Sequence, residues 1–327
     1  MKKQKGIALI TVLMVMALVA IIGVEMSKRL RLEVTRADNL LSQQQTFWYA
    51  MAGESFAKRL LSDLKDKDPV HLGQDWAAKD RVFPLPDGGE LAGEITDGQA
   101  CFNLNALRQD DDVPKAKAMR EAFLRLIEAM EIEELSQFDA EAMANALYDY
   151  LDDGELLFEG RSDSAEDSDY ASKAFPYLPP NNYMISAGEL RQVENFDVAK
   201  IQALLPYTCV LPQESELQIN VNTIDEEQPE LLMAALKGLS KSDASSIISN
   251  RPDDGWDDID EFFNQSELVT LKDADKETAK ELLSVTSRWF VLQASTKFNG
   301  SEVHLYSLLK ADNDKYFVVS RRLGELM

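Results

Sequence analysis

Residues 149–182 contain a high density of oxygen-bearing side chains. Those that could bind a cation are Asp149, Asp152, Asp153, Glu155, Asp163, Glu166, Asp167, Asp169, Asn181 and Asn182. Arg161 and Lys173 are the only bases in this stretch, so carboxylates packed together here would repel one another. A Ca²⁺ ion, which takes six to eight oxygen ligands, would remove that repulsion. The spacing is not that of an EF-hand, and the residues alone leave a solvated acidic loop as an alternative.

Recognisable catalytic motifs are absent from the sequence. The two histidines, His71 and His304, have no partner motif nearby. No Gly-x-Ser-x-Gly, Walker loop or His-Glu-x-x-His occurs. We therefore predict that the chain is not an enzyme, with a calcium-dependent hydrolase as the catalytic alternative.

The two cysteines, Cys101 and Cys209, are too far apart for a CxxC metal or redox motif. A disulfide between them requires that this part of the chain be exported to an oxidising compartment. The pattern is equally compatible with two buried free thiols.

Residues 238–252 resemble a helix-hairpin-helix, a module that presents backbone amides to DNA phosphates. The hairpin lacks the usual Gly-x-Gly, and four aspartates follow it: Asp253, Asp254, Asp257 and Asp258. The chain as a whole carries a net charge of −23, which repels phosphate backbones. We predict no nucleic-acid partner, and DNA binding is kept only as a minor alternative.

The N-terminus predicts a membrane anchor. Ile7–Val24 contains no charged residue and is just long enough, at about 1.5 Å per residue, to cross a hydrocarbon core of roughly 30 Å. The three lysines before it should stay in the cytoplasm, which sends the rest of the chain into the periplasm. A cleaved signal peptide requires a site such as Ala-x-Ala after its apolar segment, and none follows here. We expect a single-pass protein of the inner membrane.

The segment Lys5-Gly6, placed directly before the apolar residues, resembles a prepilin leader. The resemblance implies that a prepilin peptidase cuts after Gly6, so that residues 1–6 are the leader and Ile7 is the mature N-terminus. Residues 7–24 are then the transmembrane helix. A plain signal anchor would explain the span but not the glycine.

A second stretch, residues 25–64, continues the helix as an amphipathic stem. No proline occurs before Pro69, and apolar or small residues recur at helical spacing. They are Leu30, Val34, Ala37, Leu41, Trp48, Ala52, Phe56, Leu60 and Leu64. We expect this stripe to pack on a globular head, as in pilins.

The head is predicted to contain an antiparallel sheet built from residues 65–105 and 285–327. Glu90–Asp97 and Gln99–Asn105 read as two strands around Asp97-Gly98, after a turn at residues 84–89. Three further strands, at 289–296, 303–310 and 316–321, are separated by Asn299-Gly300 and by residues 312–314 and predict a meander. The fold class is therefore α+β, a pilin-like long helix on an antiparallel sheet, interrupted by a large, mostly helical insert.

The insert, residues 106–284, contains a loose internal repeat. Asn103-Leu-Asn-Ala-Leu matches Asn220-Val-Asn-Thr-Ile, and each is followed by an apolar helix and then by a helix that ends in an acidic turn. We predict two SAM-like helical units, at about 106–205 and 220–284.

Together these features resemble the GspK family, the minor pseudopilins of the type II secretion system. Chain size, Asn-x-Asn-Thr and Arg-Pro-x-x-Gly carry the resemblance, as does Thr11 at the fifth mature position, where most pilins have glutamate. The resemblance implies a subunit that has no neighbour ahead of it and caps the tip of the periplasmic pseudopilus. Such a subunit helps to initiate assembly of the pseudopilus for export of folded proteins across the outer membrane. The implied partners are the I and J types of minor pseudopilin, the major pseudopilin filament and the prepilin peptidase. A minor pilin of a type IV pilus is the alternative.

The resemblance also implies structural Ca²⁺ in the insert. Asp149-Tyr-Leu-Asp152 and Ser164-Ala-Glu166-Asp167-Ser-Asp-Tyr170 are similar to the family's Asp-Trp-x-Asp and Gly-Ala-Glu-Asp-x-x-Tyr patterns. The implied ligands are Asp149, Asp152, Glu166 and Asp167, followed by Asp153 and Asn182.

Overall fold

The computed structural model describes residues 5–65, 67–79, 81–86, 88–109, 113–132, 135–154, 165, 167–313 and 315–324. The helices are α1 (Lys5–Leu61), α2 (Val113–Ala129), α3 (Gln137–Leu151), α4 (Asp167–Ala171), α5 (Val198–Leu204), α6 (Glu230–Ala235), α7 (Lys241–Ser249), α8 (Ile259–Phe262) and α9 (Asp273–Lys280). Short 3₁₀ turns cover Asp75–Ala77, Leu104–Leu107, Ala187–Gln192 and Ser266–Leu268. The strands are β1 (Arg81–Pro84), β2 (Glu90–Asp97), β3 (Phe102–Asn103), β4 (Thr208–Cys209), β5 (Ile219–Asn220), β6 (Leu283–Ser284), β7 (Trp289–Phe298), β8 (Ser301–Asp312) and β9 (Lys315–Leu323).

The predicted anchor and stem form one unbroken helix. α1 has 57 residues, which corresponds to a length of about 85 Å. By length and composition it is the one helix in the described part of the chain that could span a membrane. Residues 7–41 are exposed throughout, and the first buried side chain is that of Ser42. The head therefore contacts only the last third of the helix.

Five strands form an antiparallel sheet in the order β1-β2-β7-β8-β9. The predicted meander is confirmed, with tight turns after β7 and after β8. The first of these turns uses Asn299 (φ 46°) and Gly300 (φ 79°), a left-handed pair that favours these two residue types. A bulge interrupts the pairing of β8 with β9 near Leu308.

The predicted strand Gln99–Asn105 is confined to Phe102–Asn103, which is β3, and it pairs with β4 instead of joining the sheet beside β2. β2 pairs with β7 and with β1, a strand that the pattern did not predict. The chain leaves the sheet after Asp97, whose Oδ1 accepts a hydrogen bond from the backbone N–H of Gln99 at 2.7 Å. The apolar residues beyond that point, among them Phe102 and Leu104, are buried in the helical core instead. Their alternation with polar residues thus reflects burial in a second core.

This second core belongs to the helical insert, which connects strand β2 to strand β7 along the chain. Residues from α2, α3, α6 and α7 pack into one continuous apolar cluster that includes Phe123, Leu147 and Ile247. Trp256 and Phe262 close one side of it with their rings edge to face at 5.0 Å. Because β2 and β7 are adjacent and antiparallel, β2 ends and β7 begins at the same end of the sheet. The insert can therefore leave and return at neighbouring points.

α1 lies on the sheet through a face of small and polar side chains. Those fully or nearly fully buried include Ser42, Thr46, Ala50 and Ala57, and the larger Leu61 is buried at the C-terminal end of the helix. They pack against a cluster of sheet residues with Phe290, Leu292, Leu305 and Leu309 at its centre. Small residues let a helix approach a sheet closely, so this face buries the stem.

The predicted packing stripe of the stem was therefore wrong for most of its length. Leu41 is 62% exposed, Trp48 67% and Phe56 43%, and Ala52 is exposed as well. At the end of the stripe Leu60 is partly buried and Leu64 is buried in the head. From Leu41 to Phe56 the large apolar side chains of this stripe face away from the sheet, and the buried contact there consists mostly of small side chains.

One buried charge fixes α1 to the sheet. Glu54 is 2% exposed and forms one bidentate ion pair with Arg321 of β9, which donates two hydrogen bonds of 2.8 Å, while Ser307 of β8 donates to it at 2.6 Å. Burial raises the pKa of Glu54, but hydrogen bonds from Arg321 and Ser307 outweigh it, and the net pKa lies below the ordinary value. The carboxylate is therefore ionised in the folded head.

Replacing Glu54 by Gln should destabilise the head by about 2 kcal/mol, because it removes the buried carboxylate of an ion pair whose arginine is only partly exposed. In the unchanged protein this contribution is complete above about pH 4.3, the unfolded pKa, and is lost as the pH falls through the lower folded pKa. Thermal unfolding of the detergent-solubilised chain between pH 3 and 7 measures both effects. Asp260→Asn, which removes an exposed pair with Lys280, is the control and should leave the midpoint unchanged. Equal midpoints for both variants at pH 7 would contradict this role of Glu54.

Candidate functional site

The two Asn-x-Asn segments fix the turns at which the two helical units begin. The Oδ1 atom of Asn103 accepts from the N–H groups of Asn105 and Leu211, and its Nδ2 donates to the Glu214 carbonyl at 2.7 Å. In the second copy Asn220 Oδ1 accepts from the N–H of Asn222 at 3.0 Å. The first asparagine of each copy thus caps its own turn and bonds to a distant strand or loop.

The second asparagine of each copy makes the same contact in both units. Asn105 accepts from the N–H of Met184 at 2.8 Å and donates to its carbonyl at 3.0 Å. Asn222 accepts from the N–H of Trp256 at 2.8 Å and donates to its carbonyl at 3.0 Å. A side-chain amide that pairs with a backbone peptide in this way satisfies two buried polar groups at once.

Each unit is also closed by a two-residue parallel strand pair. β3 pairs with β4 at the ends of the first unit, and β5 pairs with β6 at the ends of the second. The sequence motifs that suggested a duplication therefore occupy equivalent places in the two units. The exact unit boundaries stay a prediction.

A buried carboxylate joins the sheet to the second unit. Oδ2 of Asp97 accepts hydrogen bonds from Asn220 at 2.9 Å, from Thr223 at 2.7 Å and from the Ser287 hydroxyl. Burial raises the pKa of Asp97, and the hydrogen bonds from Ser287 and Thr223 act in the opposite direction. Asp97 lies where the chain leaves the sheet and Ser287 where it returns, so one polar cluster binds both ends of the insert.

Cys101 and Cys209 form a disulfide with a Cα–Cα distance of 5.8 Å. It lies beside the β3–β4 pair and spans 108 residues, which is the whole first unit. In the second unit Gln218 occupies the place of Cys101, and Ser284 occupies the place of Cys209. Of the two alternatives that the sequence left open, the structure contains the disulfide.

The structure places several of the predicted calcium ligands in one neighbourhood. Asp149 is fully buried in α3, and Asp152 is nearly so at its C-terminal end. Arg108 donates to the carbonyls of Leu151 and Asn181 at 2.6 and 2.8 Å and so holds residue 181 against the end of α3. This contact brings residues 149–152 and residue 181 together.

The remaining predicted ligands divide into three cases. Asn181 donates to Asp167 at 3.3 Å, which brings Asp167 into the same neighbourhood. Asp153 is exposed and lies 3.9 Å from Arg108, and the side chain of Asn182 accepts from the N–H of Tyr183. Glu166 lies outside the described residues. Across the described residues no three histidine, cysteine, aspartate or glutamate side chains gather closely enough to hold a metal ion.

The donor chemistry of this neighbourhood suits a hard cation. Carboxylate and amide oxygens, the ligands that Ca²⁺ prefers, come from α3, from α4 and from residues 181–182. A bound Ca²⁺ would neutralise charge and join these segments. Asp149, Asp152 and Asp167 are the described carboxylates that would hold it.

The residues predicted to form the processing site and the tip-specific position lie at the exposed end of α1. Gly6 and Ile7 belong to the helix, and Ile7 is 68% exposed. Thr11 Oγ1 donates to the carbonyl of Ala8 at 2.9 Å, so the hydroxyl is satisfied within its own helix. No charge enters the apolar segment at the position where most pilins carry one.

Two features of the stem were missed by the predictions from sequence. The bond between Glu54 and Arg321 was not predicted, because its partners are 267 residues apart. The apolar stripe of the stem was predicted to pack on the head, but most of it faces away from the sheet. A recurrent row of small residues, Ser42, Thr46, Ala50, Gly53 and Ala57, was the available signal for the buried face.

This arrangement, a long apolar N-terminal helix packed on an antiparallel sheet, defines a pilin-like protein with a helical insert. A family model described as "Type II secretion system (T2SS), protein K" matches residues 100–213, and a second of the same description matches residues 219–286. The chain is 35% identical to type II secretion system protein K of Aeromonas hydrophila over 99% of this chain and 98% of the relative. It is 34% identical to that of Klebsiella pneumoniae, with 98% and 97% covered.

A solved structure is similar over most of the chain. It is a chain of the GspK-GspI-GspJ complex from the type 2 secretion system of enterotoxigenic Escherichia coli, with a TM-score of 0.78 and 32% identity. The similarity covers 89% of this chain and 99% of that one. The chain belongs to the type II secretion system protein K family. It is a minor pseudopilin, and the predicted fold class is confirmed.

Proposed function

We propose that this pseudopilin caps the tip of the periplasmic pseudopilus and helps to initiate its assembly, in a complex with the I and J types of minor pseudopilin. The similar solved structure is a complex of GspK with GspI and GspJ. The observation that carries the proposal is the apolar stripe on the outward side of α1, which includes Leu41, Trp48 and Phe56. Apolar side chains aligned on one helix face are a surface for another helix.

Thr11 supports the place at the tip. In related pilins the acid at this position is thought to neutralise the N-terminal amine of the subunit ahead. An unpaired carboxylate in the bilayer costs several kcal/mol, so a subunit with nothing ahead of it is better served by threonine. The bulky insert also favours a position at the tip, because an insert of this size on every subunit would obstruct the stacking of subunits in the filament.

The remaining parts of the proposal concern processing and orientation. A prepilin peptidase would remove residues 1–6 after Gly6, and the head would lie in the periplasm behind a single inner-membrane span. The disulfide between Cys101 and Cys209 is consistent with an oxidising compartment. The chain is assigned no catalytic step, and the proposal contains no nucleic-acid partner.

Replacing Trp48 and Phe56 together by Gln should weaken the tip complex at least tenfold, because large aromatic residues carry most of the energy of such interfaces. Co-purification of the full chain with I- and J-type minor pseudopilins measures this loss. Phe175→Gln with Leu178→Gln is the matched control, since these residues are also exposed but lie in the insert. Undiminished complex formation by the Trp48/Phe56 variant, with its unfolding midpoint unchanged, would reject the stripe as the interface.

We also propose that Ca²⁺ stabilises the first unit through Asp149, Asp152, Glu166 and Asp167, with Asp153 and Asn182 as further ligands. The support is the family resemblance and the neighbourhood that Arg108 and Asn181 create. The metal would be structural, closing the loop between α3 and α4.

Chelating calcium should lower the unfolding midpoint of the protein by about 5 °C, since a ligand at 100 times its Kd contributes about 2.7 kcal/mol. Asp149→Asn should remove the response to chelator. Asp257→Asn, an exposed acid of the second unit, should keep it. A melting curve that excess chelator leaves unchanged in the parent protein would eliminate the calcium site.

A further inference from the structure

A short basic segment follows the apolar part of α1 directly. Lys28, Arg29, Arg31 and Arg36 lie within nine residues and are all exposed. Two of the four have acidic partners on the same helix. Arg29 lies 3.6 Å from Glu25, and Arg36 lies 3.2 Å from Glu33.

The other two bases are available. Lys28 and Arg31 have no ion-pair partner within the part of the chain that the structure describes. They are three positions apart, which places them next to each other on one face of the helix. Glu25, three residues before Lys28, pairs with Arg29 instead. The nearest acid that follows on the same face is Asp38, about two turns beyond Arg31.

The backbone of Lys28 lies at the height of the lipid headgroup layer, and that of Arg31 lies just above it. Lys28 is four residues beyond Val24 and Arg31 is seven beyond it, so their backbones lie about 6 and 10 Å above the hydrocarbon edge. The headgroup region is roughly 5–7 Å deep on each side of the core. Long basic side chains bend toward that layer, so both cations reach it.

We propose that Lys28 and Arg31 form a binding site for the phosphate of an anionic phospholipid headgroup. An acid on a neighbouring helix could pair with the same cations, but the lipid phosphate is favoured because it is always present at this depth. The contact fixes the depth of α1 and opposes its withdrawal from the bilayer. The inference needs only the membrane anchor, and holds whether or not the subunit sits at the tip.

The test uses the full chain reconstituted in phosphatidylcholine vesicles that contain trace spin-labelled phosphatidylglycerol or spin-labelled phosphatidylcholine. The fraction of each labelled lipid that is immobilised at the protein gives its relative association constant. We expect phosphatidylglycerol to be preferred by roughly fivefold at low salt, because each basic residue near the surface attracts anionic lipid. The preference should fall in about 0.5 M NaCl as the charges are screened.

Lys28→Gln combined with Arg31→Gln should bring the ratio close to one. Lys237→Gln with Lys272→Gln removes the same charge from exposed positions of the insert and should keep the preference. Lys28→Arg with Arg31→Lys preserves the charge and should also keep it. No preference in the parent protein, or one that the Lys28/Arg31 variant retains, would overturn the proposal. Loss of tip-complex formation in that variant, with lipid preference intact, would assign the pair to a protein partner instead.

Discussion

The close contact between α1 and the sheet determines how the rest of the molecule is arranged. A face of serine, threonine, alanine and glycine lets the helix lie flat on β7 and β8, and Glu54 holds it there through Arg321. Because small side chains fill most of that face, the large apolar residues Leu41, Trp48 and Phe56 lie on the outward side. The same packing that stabilises the head thus leaves an apolar surface on the stem for other subunits.

The insert depends on a second constraint, which is that its two ends must stay together. It leaves the sheet after Asp97 and returns near Ser287, on neighbouring antiparallel strands. Asp97 accepts buried hydrogen bonds from Asn220, Thr223 and Ser287 at this junction, and the Cys101–Cys209 disulfide begins four residues beyond Asp97. Of the chain's 57 acids, 40 lie in residues 106–284 with only 15 bases, so the insert carries a net charge of −25. The remainder of the chain is slightly positive, and the acidic surface is confined to the insert.

Sequence patterns predicted those parts of the structure that depend on residues close together in the chain. The apolar segment, the unbroken stem and the Asn-Gly turn of the meander each follow from neighbouring residues. The side of α1 that packs on the sheet could not be predicted from hydrophobicity, because it is decided by the space between helix and sheet. The partners of Glu54 and of Asp97 lie far away in the sequence. Arg108 and Asn181 bring together the residues around Asp149, and this contact also joins segments that are distant in the chain.

The proposed role requires that this chain enter the membrane as a prepilin and be processed to a mature subunit that begins at Ile7. The decisive experiment is N-terminal sequencing of the membrane-extracted protein from cells with and without a prepilin peptidase. We expect a sequence that begins at Ile7 when the peptidase is present and at Met1 when it is absent. A terminus at Met1 in both cases, or one beyond Val24, would contradict it.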